Sequence, residues 1–181
     1  MRDSSRADEI RYDLARNRAR SLLTLTKQRP PVDVQAIIDL AGIPVLERAL
    51  ADGTRATVGD IAGRRSIILN RKWKFSSENE RRFVLAEELG HILMGHKLVE
   101  STEPSKPMVG LLEPRRDFYE REARAFAAEL LMPFAEVRRR CFGLSPEAVS
   151  VDDMVRRLAG EFAVTLAAMR VRLQQMKLVQ V

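Results

Sequence analysis

The chain has 181 residues, of which 45% are hydrophobic and 31% are charged, and its formal net charge is +6 with a pI near 10. This composition is typical of a globular protein with one sizeable core, and it excludes extended disorder. The single cysteine, Cys141, excludes an intramolecular disulfide and a cysteine-based zinc finger. No apolar run is long enough for a membrane span or a signal peptide. We therefore expect a cytoplasmic protein without a membrane partner.

Two helices are predicted at the start of the chain. Apolar residues at helical spacing indicate a helix over residues 8–26, with Leu14 and Leu25 among its core positions. Asp33 can cap a second, short helix that ends at residue 40, just before Gly42. These helices precede the segment that we expect to form a sheet.

A small antiparallel sheet is predicted next. Alternating apolar residues indicate three strands, over residues 42–50, 55–61 and 66–70. Residues 62–64, Ala-Gly-Arg, are suited to a tight turn between the last two strands. The expected fold class is therefore α+β, mostly helical with a three-stranded antiparallel sheet.

Two longer helices follow the sheet. Ser77 and Glu80 form an S-x-x-E capping box, which marks the start of a helix that extends past residue 91. Residues 95–114 contain three prolines and read as a long surface loop. A second helix is predicted over residues 115–132, and its inward positions include one polar residue, Glu122.

The C-terminal segment predicts two short helices over residues 151–162 and 165–176, spaced like a helix-turn-helix. We divide the chain into a domain over residues 1–135 and a helical segment over residues 136–181. The positive charge raises the possibility of DNA contact, but the cations are spread among many carboxylates, which favours a solvated surface. We expect the C-terminal helices to pack on the core more than to bind DNA.

The first of the two longer helices carries a pattern close to H-E-x-x-H, the zinc-peptidase motif, with Glu87 in place of the first histidine. Positions 87 and 91 lie on one helix face, so Glu87 and His91 can converge on one ion. Glu88 stands where such enzymes place the general base. His96 lies about 140° further round a continuous helix than His91, so we assign it to the helix end rather than to the metal.

The chain resembles the ImmA/IrrE family of metallopeptidases in three segments. Residues 82–91 are similar to the family pattern R-F-x-L-A-H-E-L-G-H, and residues 120–133 are similar to E-x-E-A-N-x-F-A-A-x-L-L-M-P. Residues 158–173 resemble the helical segment that follows the peptidase core. Two positions depart from the patterns, because Glu87 replaces a histidine and Arg124 replaces an asparagine.

The resemblance implies a zincin-like, cytosolic, zinc-dependent endopeptidase that cleaves a helix-turn-helix repressor in a mobile-element or stress response. Carried over to this chain, it gives His91 and Glu122 as metal ligands and Glu88 as the catalytic base. Glu87 would be an unusual ligand, which weakens the ion's effect on bound water and moves preference from zinc toward manganese.

Two other functions stay open on the sequence alone. The chain could be a catalytically impaired relative that binds the repressor without cleaving it. It could also be a DNA-binding regulator that acts through its C-terminal segment. Metal content separates the first of these from an active peptidase, and salt-dependent binding to duplex DNA would support the second.

Overall fold

The computed structural model describes residues 10–98, 108–109, 116–143 and 150–179. Within these residues the chain is mostly helical, with one small sheet, which confirms the α+β class. The elements in chain order are α1 (Tyr12–Thr26), α2 (Val34–Leu40), β1 (Val45–Arg48), β2 (Ala56–Ile61), β3 (Arg64–Asn70), α3 (Glu78–Leu93), β4 (Met108–Val109), α4 (Arg116–Leu131), α5 (Phe134–Phe142), α6 (Val151–Phe162) and α7 (Leu166–Gln175).

The sheet is mixed, so the prediction of a purely antiparallel sheet is wrong. Its strand order is β1-β3-β2-β4. Strands β2 and β3 form the expected hairpin, and the two residues between them, Ala62 and Gly63, both have positive φ. Strand β1 instead pairs in parallel with β3, with Val45 opposite Ile67. Most of the predicted loop over residues 95–114 lies outside the described residues, and β4 forms within it.

Local sequence signals set the starts of α2 and α3 as predicted. The Asp33 carboxylate accepts a hydrogen bond from the backbone N–H of Ala36 at 3.0 Å. The Ser77 hydroxyl accepts one from the backbone N–H of Glu80 at 3.2 Å. Each bond satisfies an N–H group that has no partner within its own helix, so both helices begin at the expected residues.

Helix α1 packs along α4 through small residues, which corrects its predicted core. Ala15 and Ala19 are fully buried, whereas Leu14 is 37% exposed and Leu25 is 80% exposed. Alanines on the inner face allow close approach of the two helices. Leu14 and Leu25 lie toward solvent, whereas the predicted core residues Leu22 and Leu23 are partly buried against the core. None of the described helices is long and apolar enough to cross a membrane.

The C-terminal helices share the core of the preceding elements. Leu158 and Phe162 of α6 and Leu173 of α7 are fully buried in the same cluster as Phe126 of α4. The guanidinium of Arg172 on α7 donates to the backbone carbonyl of Met132 at 3.0 Å and also pairs with Glu129. Helix α7 therefore packs on the end of α4, where it forms one wall beside the candidate site.

Candidate active site

The site lies between α3 and α4, which approach closely at Gly90. A Cβ atom at this position would lie 3.0 Å from Cδ1 of Phe126 and 3.2 Å from the backbone oxygen of Ala123. Any larger residue would push the helices apart. The glycine before His91 thus sets the distance between the motif on α3 and the acidic residues on α4.

Glu87 is held by two arginines. Its carboxylate lies 3.1 Å from Nη2 of Arg55, which precedes β2, and 3.3 Å from Nε of Arg124 on α4. The side chain of Glu87 is 8% exposed, and burial raises the pKa of its carboxyl despite the two nearby cations. Two guanidinium groups therefore occupy the space beside the first position of the motif.

Glu88 is buried without a polar partner in the described part of the chain. It is 8% exposed, and it has no hydrogen bond or ion pair with any residue that the structure describes. Burial, followed by the charges of Glu87 and Glu120, raises the pKa of Glu88 well above its ordinary value. Enzymes raise the pKa of a glutamate general base by burial of this kind, so the surroundings of Glu88 suit that role if metal-bound water is present.

His91 is neutral and has a defined tautomer. Burial is the main cause that lowers its pKa to about 3, and His96 also contributes. Nδ1 of His91 lies 2.8 Å from Nδ1 of His96, and Nε2 of His96 lies 3.0 Å from a carboxylate oxygen of Glu122. His96 must donate its Nε2–H to this carboxylate, so its Nδ1 accepts from His91. The lone pair on Nε2 of His91 then faces Glu120, at 3.9 Å.

Glu122 ends this chain of hydrogen bonds and is fixed by Arg11. The backbone N–H of Arg11 donates to the carboxylate at 2.8 Å, and its guanidinium donates to both oxygens at 2.6 to 3.1 Å. Burial by itself raises the pKa of Glu122, but the hydrogen bonds from Arg11 and His96 outweigh it and leave that pKa below its ordinary value. Glu122 is therefore an ionised carboxylate with both oxygens engaged.

These contacts correct one expectation about α4 and add His96, at the end of α3, to the site. Glu122 reaches His91 through His96 rather than directly, and Glu120 stands across from His91 instead. Glu120 also pairs with Arg124, four residues further along α4, at 3.7 Å. His96 lies in the site because α3 ends at Leu93 and Gly95, with φ +68°, turns the chain back. The angle calculated for a continuous helix did not apply.

Of the predicted site residues, Glu87, Glu88 and His91 lie together, and Glu122 joins them through His96. Sequence reasoning missed Arg11 and Arg55, which come from distant parts of the chain. The only signal for Arg124 was its departure from the asparagine of the family pattern. The pairing of Glu87 with Arg55 and Arg124 could not be predicted from sequence spacing, because these arginines lie outside α3.

The arrangement does not fit a metal ion. Among the described residues, no group of three or more histidine, cysteine, aspartate or glutamate side chains could hold one. The physical reason is that Glu87 faces two guanidinium groups and Glu122 is bound by Arg11 and His96. Zinc ligation needs at least three such donors directed at one point. His91 and Glu120 alone do not supply them.

A helix with a motif close to H-E-x-x-H, packed on a second acidic helix and beside a small sheet, defines a zincin-like peptidase domain. A family model described as the IrrE N-terminal-like domain, from a family of peptidases, matches residues 38–174. The chain belongs to this family, in agreement with its ImmA/IrrE-like motifs. No curated protein matches the chain in a sequence comparison.

Proposed function

We propose that this chain is a peptidase-fold binding module that recognises a helix-turn-helix repressor in the cytoplasm without cleaving it. The observation that carries the proposal is the pairing of Glu87 with both Arg55 and Arg124. In the family pattern these two α3 and α4 positions hold a histidine and an asparagine. In this chain the two positions hold Glu87 and Arg124, which form an ion pair with each other.

The charges of the site support this proposal. Glu87, Glu88 and Glu120 would repel one another in a buried site, and a cation is one way to relieve that repulsion. Arg124 contacts both Glu87 and Glu120, and Arg55 contacts Glu87. The protein thus supplies its own positive charge. A divalent ion could bind Glu87 only by displacing two ion pairs from a mostly buried carboxylate, which is costly.

The residue at the position of the general base also supports a function without cleavage. Glu88 stands where such enzymes place the residue that takes a proton from metal-bound water. Glu87 is paired with Arg55 and Arg124, and the described residues include no group of metal ligands, so Glu88 has no such water to act on. The binding of a polypeptide in the cleft between α3 and α4 does not require a metal ion, whereas its hydrolysis does.

A zinc endopeptidase remains a second candidate because half of a ligand set is retained. Nε2 of His91 carries a lone pair that faces Glu120 across 3.9 Å. Nδ1–H of the same ring is bound by His96, as is usual for a metal-ligating histidine. Displacement of the Arg124 guanidinium toward solvent would free the carboxylates of Glu87 and Glu120 from that partner, and hydrolysis would then require an ion from solution.

Repressor binding and repressor cleavage can be measured in parallel. Purified helix-turn-helix repressors from the same organism are tested by biolayer interferometry, and the mixtures are analysed by intact-protein mass spectrometry with added zinc or manganese. We expect binding of at least one repressor, no new fragments, and the same affinity for the Glu88→Gln variant. Fragments that appear with the natural chain and disappear with Glu88→Gln would establish the endopeptidase instead.

A further inference from the structure

A cavity of about 720 Å³ lies beside Glu87, between α1, α3, α4 and α7. This volume is in the range of ligand-binding pockets. Arg55 and Arg124, which hold Glu87, also line the cavity, so it is continuous with the candidate active site. The cations of its wall are Arg16, Arg55, Arg121, Arg124 and Arg172.

The five arginines line the cavity, whereas Glu87 and Glu129, which pair with three of them, do not. The side chain of Arg124 is 59% exposed, whereas that of Glu87, its partner, is 8% exposed. Arg16 is 41% exposed; its guanidinium lies 5.7 Å from the ring centroid of Tyr12, and among the described residues its one ion pair is with the solvent-exposed Asp13, at 3.5 Å. Arg121 is exposed and has no ion pair or hydrogen bond with any residue that the structure describes. An entering group therefore meets guanidinium donors that retain unused N–H groups.

The lining has one carboxylate among its described residues, and that carboxylate is already bound. Glu80 accepts hydrogen bonds at 2.7 Å from both the backbone N–H and the hydroxyl of Ser76. These bonds are the main reason that the pKa of Glu80 is lowered. Arg55, Arg124 and Arg172 are paired with carboxylates behind the lining, so the positive charge left for a ligand comes mainly from Arg16 and Arg121.

Apart from Tyr12, Thr165 and Gln175, the remaining wall is apolar and comes largely from α4 and α7. Val171 is 50% exposed, and the partly buried Phe83, Ala125, Ala128 and Ala168 complete this surface. A cavity with a cationic rim and an apolar wall is complementary to a segment that carries both carboxylates and aliphatic side chains. A nucleic-acid backbone is bound mainly by a stripe of cations that follows its phosphates, and it gains little from an apolar wall.

We propose that this cavity binds an acidic polypeptide segment, with its carboxylates on Arg16, Arg121 and Arg124 and an aliphatic side chain against Val171. The inference deepens the proposed function, on which it rests, by naming the part of the repressor that the cleft would bind. Arg121 and Arg16 are the most informative residues, because neither contributes to a described buried contact of the fold.

The test uses a fluorescein-labelled dodecapeptide in which glutamate alternates with leucine, and fluorescence anisotropy with the full chain. We expect saturable binding that weakens as salt increases, and no comparable binding of the same peptide with glutamine in place of glutamate. The Arg121→Gln and Arg16→Gln variants should each weaken affinity about threefold to tenfold. Arg139→Gln is the matched control, because Arg139 is 68% exposed on α5 and pairs locally with Glu136.

Val171→Asp tests the apolar wall separately. The residue is half exposed, so the variant should fold, and the introduced carboxylate should reduce peptide affinity at least about tenfold. Equal binding of the glutamate and glutamine peptides, or equal affinity of Arg121→Gln and Arg139→Gln, would overturn the inference. So would tighter binding of a labelled duplex DNA that is lost in Arg121→Gln.

Failure of this inference is distinguishable from failure of the proposed function. If the natural chain and Arg121→Gln bind a repressor equally well and neither cleaves it, the binding module stands and the acidic-segment inference is wrong. If the repressor is cleaved while the acidic peptide binds as expected, the cavity inference stands and the non-cleaving function is wrong.

Discussion

Replacement of Glu88 by glutamine tests whether this carboxyl group is buried at a cost to stability. Glu88 is 8% exposed and close to the charges of Glu87 and Glu120. Glutamine has the same shape and no charge. Burial and these charges disfavour the ionised form of Glu88, whereas glutamine is neutral at every pH, so we expect the free energy of unfolding at pH 7 to rise by about 1–3 kcal/mol. For a chain of this length, Tm should rise by roughly 2 to 12 °C.

The pH dependence gives the sign of the effect. The pKa of Glu88 is raised in the folded state, so its stabilising contribution is complete below the unfolded pKa and is lost as pH rises through the folded pKa. The advantage of Glu88→Gln should therefore be largest at neutral pH and disappear near pH 4. His91 acts in the opposite direction, because its pKa is lowered from 6.5 to about 3. In Glu88→Gln, acidification from pH 6.5 to pH 5 should thus cost roughly 2 kcal/mol from His91 alone.

Urea denaturation followed by circular dichroism, repeated from pH 4 to pH 8, measures both effects. Glu78→Gln serves as the control, because Glu78 is 69% exposed on the same helix and should change stability by less than about 0.5 kcal/mol. A natural chain as stable as Glu88→Gln at pH 7 would refute the reasoning. So would an advantage of the variant that grows as the pH falls.

Two further substitutions test how the site is built, each by urea denaturation. Gly90→Ala should destabilise the protein by about 1–3 kcal/mol, because the added Cβ would lie 3.0 Å from Phe126; unchanged stability would mean that α3 and α4 do not pack closely at this residue. Arg11→Gln should cost about 1–2 kcal/mol, because Glu122 would lose its guanidinium partner and Arg11 is only half buried. A loss no larger than that for the exposed pair of Arg16 and Asp13 would contradict the proposed role of Arg11.

Local signals predicted the helices and the motif, since these depend on spacing and capping within a few residues. Ser77 and Asp33 start their helices as expected because a cap is a contact between neighbours in sequence. The hairpin of β2 and β3 follows from its two-residue turn for the same reason. The parallel pairing of β1 with β3 is a long-range choice that alternation does not encode.

The site was only partly predictable because its main contacts are distant in sequence. Arg55 reaches Glu87 across 32 positions, and Arg11 reaches Glu122 across 111 positions. Neither pair has a periodic signature. His96 lies past the end of α3, as predicted, but its contact with His91 was not foreseen, because the calculated angle assumed that α3 continues, whereas Gly95 turns the chain back into the site. The family pattern gave the position of Arg124 but no indication that its guanidinium would face Glu87.

Zinc affinity tests the central claim, that an internal ion pair replaces the metal. The natural chain and the Glu87→His/Arg124→Asn variant are titrated with zinc against a chromophoric chelator at pH 7.5. The variant restores the imidazole and removes the guanidinium, so it should bind zinc at least about a hundredfold more tightly than the natural chain. Adding His91→Ala to it should abolish that gain. If the natural chain binds zinc as tightly as the variant, the pairing of Glu87 with Arg55 and Arg124 does not replace a metal, and the claim is wrong.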